Sequence, residues 1–144
     1  MSFPDPSVSA VAQVIQLAVA PVFLLTGVAA TLGVLANRLA RIIDRARVLE
    51  ARRDAGSGEL GSVSEDLKHL SKRARLVYAA IALLVSSALL VGLVIISLFV
   101  GVFLAVQLGG VIAALFIGAM LTFIGALVVF LREVFVGTQG LRIG

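Results

Sequence analysis

The chain has 144 residues, 60% of them hydrophobic and 14% charged, whereas a soluble domain carries roughly 45–50% apolar and about 25% charged residues. An ordinary water-soluble core is excluded, and the length leaves room for a single small domain. The formal net charge is +4, but ten of the twelve Lys and Arg fall between Arg38 and Arg75, together with six acids; that mixture reads as a charged helical face and not as a nucleic-acid footprint.

Residues 1–10 carry Asp5 and no Lys or Arg, so the basic region of a cleavable signal peptide is missing. The first apolar run, 11–36, is therefore expected to stay as a membrane span, and 1–10 to lie outside the cell. Residues 37–75 hold the positive charge, which places them in the cytoplasm under the positive-inside rule. The second span covers 76–106, a short outer turn 107–109, and the third span 110–131. A cytosolic tail, 132–144, carries Arg132 and Arg142 and agrees with this orientation. A charged residue at the centre of a span would cost about 2.5–3.5 kcal/mol on insertion scales, and none of the three spans holds one. The expected fold is all-α: an integral membrane protein with three transmembrane helices.

Between the first two spans the pattern predicts an antiparallel helical hairpin. Leu35, Leu39, Ile42, Ala46 and Leu49 recur at steps of three and four, the spacing of one helical face. Gly56-Ser57-Gly58 breaks the helix. Ser62, with Glu65 three positions on, fits a capping box at the start of the next helix. Leu67, Leu70, Ala74 and Val77 continue an apolar stripe into the second span.

On a helical wheel, Arg41, Arg45 and Arg52 fall within about 60° of Arg38. Traced back through the first span, the same face meets Val34, Thr31, Gly27, Phe23, Ala20, Gln16 and Gln13; a kink at Pro21 would reset the phase of the last two. Two readings follow. Four or more copies could turn this face to a central axis, with Gln13, Gln16 and Thr31 wetting a pore, Phe23 and Val34 constricting it, and Arg rings at its cytosolic mouth acting on ions. Alternatively, Gln and Thr hydrogen-bond to neighbouring helices and the arginines hold anionic lipid headgroups. Asp44 lies between Arg41 and Arg47 at helical pairing distance.

In the third span Gly110, Ala114, Gly118, Thr122 and Ala126 repeat every fourth residue, a small-xxx-small stripe that permits close helix packing. Ser86 and Ser87 are expected to bond carbonyls of their own helix. Tyr78 and Phe135 mark the inner interface.

Two blocks, Leu17-Ala-Val-Ala-Pro-Val-Phe-Leu-Leu-Thr-Gly-Val28 and Asn37-Arg-Leu-Ala-Arg-Ile-Ile-Asp-Arg-Ala-Arg47, carry a resemblance to a family of small bacterial three-span membrane proteins of unassigned function, a domain of unknown function. The resemblance implies three spans in a bacterial inner membrane and no activity. The topology is also similar to that of the proton-channel subunits of Ton- and Tol-type motors, although no span here holds an acid, which counts against proton-driven work.

No phosphate loop follows Gly56-Ser57-Gly58, and His69, the one His in a chain without Cys, builds neither a catalytic triad nor a metal site. The expectation is a non-enzyme without cofactor or metal and without a nucleic-acid partner. The leading expectation is a homo-oligomeric pore or ion channel, and the alternative is a non-conducting scaffold or lipid-binding accessory protein acting through the hairpin. A small-molecule transporter is disfavoured, because the spans show no internal repeat.

Overall fold

The computed structural model describes residues 7–56 and 60–141. Three helices make up the fold: α1 (Val8–Asp54), α2 (Leu60–Phe103) and α3 (Gly109–Leu141). Each contains a stretch long and apolar enough to cross a membrane, within Val8–Asp54, Gly61–Phe103 and Gly109–Thr138. The all-helical expectation is thus met, with three helices that qualify as membrane spans by length and composition. Asp5, Ser57, Gly58 and Arg142 lie outside the described residues.

The helix ends are set by local chemistry. Ser7 caps α1, its Oγ accepting from the Ala10 N–H at 3.2 Å, and so satisfies a donor that the first helical turn leaves orphaned. At the other end Ala55 N–H donates to the Ala51 carbonyl and Gly56 N–H to that of Arg53, with Gly56 at φ +68°, the left-handed conformation that closes many helices. The capping-box expectation at Ser62 is corrected: α2 already starts at Leu60, so Ser62 sits inside the first turn. After α2, Ala105 takes φ +53° and Val106 N–H reaches back to the Gly101 carbonyl at 3.1 Å. This is Schellman-type closure with Ala where Gly is usual.

The chain forms two compact units, one of Met1–Thr31 with Leu83–Ile124, the other of Leu32–Ala82 with Gly125–Gly144. In the first unit the core is Val14, Ala18 and Val28 of α1 with Leu84, Ser87, Val91 and Val94 of α2 and Ala119 of α3. Pro21 is buried too, and α1 continues through it. Val14, Pro21 and Val28 keep a spacing of seven, so the expected change of phase at the proline does not occur. In the second unit the core is Leu35, Ile42 and Leu49 of α1, Val63, Leu70, Val77 and Ala80 of α2, and Ala126 and Glu133 of α3. Spacings of seven recur on all three helices. That is the a/d repeat of helices whose seam stays on one partner face.

The seven-residue seam explains where the small-residue stripe goes. A four-residue step advances about 400° around a helix of 3.6 residues per turn, so such a stripe drifts by about 40° per step. Accordingly Gly110 and Ala114 are exposed, Gly118 and Thr122 are half-buried, and Ala126 is buried. The close-approach residue of the first unit is Ala119, fully buried and outside that stripe. Its carbonyl accepts the Ser87 hydroxyl at 2.8 Å. This corrects the expectation for Ser87, which bonds across to α3 and not within α2, because it occupies a seam position. Interhelical hydrogen bonds in membrane proteins average about 0.6 kcal/mol and reach about 1.7. Ser87→Ala should therefore cost about 1 kcal/mol in denaturant titrations in mixed micelles, with the same substitution at exposed Ser64 costing nothing measurable.

Outside its seams the first unit presents large apolar side chains at its surface. Phe23 is 72% exposed, Leu89 67% and Leu121 63%. Such a surface needs lipid tails or further protein around it.

Candidate functional site

The second unit contains a buried charge. Glu133 is fully buried, on the α3 seam one heptad beyond Ala126. A lone carboxylate there would be prohibitively costly to desolvate, and two arginines offset the cost. Arg38 of α1 donates through Nε at 2.8 Å and approaches through Nη2 at 2.7 Å, both at Oε2. Arg73 of α2 donates through Nε to Oε1 at 3.0 Å. Each carboxylate oxygen is thus taken by one guanidinium, and one acid ties together three helices. The Arg38 distances are those of short charge-assisted bonds, and that of Arg73 is an ordinary N–H···O length.

The surroundings fit this arrangement. The Arg38 guanidinium lies 5.5 Å from the centroid of the Phe130 ring, within range of a cation–π attraction. Gly137 leaves room for Arg73: a Cβ there would stand 3.3 Å from the Arg73 Cζ and Nη2, closer than an ordinary contact. Arg38, Arg73, Val134, Gly137 and Thr138 line a cavity of about 280 Å³. Two cations face one anion here, so the site keeps a net charge of about +1. The Arg side chains are 31% and 23% exposed, and water screens them in part.

A second cavity, in the first unit, is apolar. Leu17, Ala20, Pro21, Leu98, Ala113 and Phe116 are among the residues around its roughly 350 Å³. It offers shape and hydrocarbon contact but no polar side chain to orient a ligand.

The residues expected from the sequence are distributed as follows. Gln13, Gln16, Ala20, Phe23, Gly27 and Val34 are exposed on α1, and Thr31 is half-buried. The Thr31 hydroxyl donates to the Gly27 carbonyl at 2.8 Å, so it is occupied within its own helix. Arg41, Arg45 and Arg52 are exposed, as is Asp44. Arg38 is set apart from them, because its charge is engaged by Glu133. Glu133, Arg73 and Gly137 were not anticipated as site residues. One signal was available for Glu133: it is the only acid after Asp66.

The model of the family described as "Protein of unknown function (DUF2721)" covers residues 18–143, most of the chain, and the chain belongs to that family. No curated protein and no solved structure matches it.

Proposed function

We propose that this DUF2721 protein is a multi-pass protein of the bacterial inner membrane that acts as a non-conducting scaffold, gathering anionic lipid through its basic segment. In this reading the N-terminus is outside, residues 37–75 form the cytosolic hairpin, and the chain end after α3 is cytosolic. The observation that carries the reading is the exposure of Arg41, Arg45 and Arg52 on α1 beside a site in which two arginines share a single carboxylate. Basic residues near a membrane surface attract acidic headgroups by about 1 kcal/mol each.

The test is lipid enrichment around the intact protein. In nanodiscs of equal phosphatidylglycerol and phosphatidylcholine, native mass spectrometry should show the wild type released with an excess of phosphatidylglycerol. Replacing Arg41, Arg45 and Arg52 together by Gln should reduce that excess strongly. No enrichment in the wild type would sink the reading.

A second reading, the homo-oligomeric pore lined by Gln13, Gln16, Ala20, Phe23, Gly27, Thr31 and Val34, is favoured by the exposure of all but Thr31 on one chain, since a lining face must be left uncovered by its own helices. Its expected Arg ring is weakened at Arg38, whose charge is partly offset by the carboxylate of Glu133 that it shares with Arg73. Closed rings of four or more copies, with reconstituted ion flux that changes on Gly27→Leu, would establish the pore over the scaffold.

A further inference from the structure

We propose that the cavity bounded by Arg38, Arg73 and the Val134–Thr138 turn of α3 is a binding site for a phosphate group, that of an acidic lipid headgroup or of a soluble phosphate. It rests on the scaffold reading in its lipid form and gives that reading a defined locus.

The argument starts from donors. A guanidinium carries five N–H groups in a planar fork. Glu133 takes the Nε of each arginine and Nη2 of Arg38, and among the described residues it is the only ion-pair partner of either. More N–H groups remain than one carboxylate can accept. The remaining donors belong to residues that line the cavity. Glu133 also orients both forks from its buried position, so little side-chain entropy is left to lose when a second anion arrives. Its negative charge cancels one of the two cations, which leaves a charge suited to a monoanion such as a phosphodiester.

The shape agrees. About 280 Å³ is ample for a phosphate with part of a glycerol. Gly137 presents no side chain toward Arg73, and Thr138 is exposed at the edge, where a ligand would enter. The Thr138 hydroxyl donates to the Val134 carbonyl at 2.7 Å, so the arginines and not the threonine hold the anion. The planar fork is the side chain best matched to phosphate oxygens.

Thr138→Glu tests the site without dismantling the ion triad, because it places a competing carboxylate at the cavity edge and leaves Arg38, Arg73 and Glu133 in place. Ala40→Glu, at an exposed position of α1, adds the same charge elsewhere. In the mixed-lipid nanodiscs Thr138→Glu should lower phosphatidylglycerol retention about tenfold, the loss expected for displaced charge-assisted bonds, and Ala40→Glu by no more than about twofold. A parallel titration of inorganic phosphate into protein in neutral micelles, read as a shift in thermal midpoint, separates the sources. A shift with phosphate that Thr138→Glu abolishes assigns a soluble anion; retention of phosphatidylglycerol with no phosphate shift assigns the headgroup. If wild-type enrichment is present and the two variants reduce it equally, or Thr138→Glu leaves both probes unchanged, the site is overturned while the scaffold reading stands. If the wild type shows neither enrichment nor a phosphate shift, both fall.

Discussion

Glu133→Ala should destabilise the folded protein by about 2–4 kcal/mol, and the simultaneous loss of Arg38 and Arg73 should cost more than the sum of the two single losses. Breaking a buried ion pair by removing one partner typically costs about 3–5 kcal/mol, because the other charge is left uncompensated. Here the figure is lowered for the arginines, which are 31% and 23% exposed and can turn toward water when the acid is gone. Glu133 has no such escape, being fully buried. With Arg38→Met alone it keeps Arg73, and with Arg73→Met alone it keeps Arg38, so each single change should cost about 1–2 kcal/mol. With both removed, the buried carboxylate has no cation left to offset its desolvation. The double-mutant cycle should therefore show a coupling of about 1 kcal/mol or more. The triple variant Arg38→Met/Arg73→Met/Glu133→Leu removes all three charges of the triad and should recover most of the lost stability, as replacement of whole buried ion clusters often does. Denaturant titration in mixed micelles measures all of these. Additive single losses, or a triple variant as unstable as the double, would show that the carboxylate is not held by the arginines.

This triad also marks the boundary of what the sequence discloses. The three apolar stretches are legible because length and hydropathy alone decide whether a helix can cross a bilayer. The α1 stripe is legible because its period is local: Leu35, Ile42 and Leu49 are buried and Leu39 and Ala46 half-buried, as the steps of three and four require. The partners of Glu133 are not local. They stand 95 and 60 positions away, and no periodicity within one helix encodes which face of another it will meet. Glu133 also follows Arg132 directly, two residues past the last apolar position of the third span, where a charged pair reads as an ordinary flank. What places it inside is the heptad of Ala119, Ala126 and Glu133, and the every-fourth-residue stripe of small residues on the same helix masks that heptad. The two patterns share only Ala126. The Ser87 bond to α3 escaped for the same reason: a serine in an apolar helix can bond to its own backbone or across a seam, and only tertiary packing decides.

The seam itself yields the second large effect, and it separates packing from any role at the surface of α1. Leu35 and Val34 are neighbours in sequence and opposites in environment: Leu35 is fully buried in the second unit and Val34 is 51% exposed. Truncating a buried Leu to Ala removes its contacts and leaves a cavity that close-packed helices only partly fill, at a cost of about 2–5 kcal/mol. The favourable helix propensity of Ala offsets only a few tenths of that. Leu35→Ala should accordingly cost at least 2 kcal/mol by the same titration. Val34→Ala should stay within about 0.5 kcal/mol of wild type, as exposed positions usually do. In a lipid-facing role Val34 has little else to lose, since a lipid tail accommodates Ala as readily as Val. In the pore reading Val34 is a constriction, and removing two methyl groups from every copy in a ring would widen it. Val34→Ala would then alter ion flux with stability unchanged, whereas under the scaffold reading both flux and stability stay where they were. A destabilisation at Val34 comparable to that at Leu35 would show that the exposed face of α1 is covered in the assembled protein, which neither the lipid-facing nor the pore-lining assignment of that face allows.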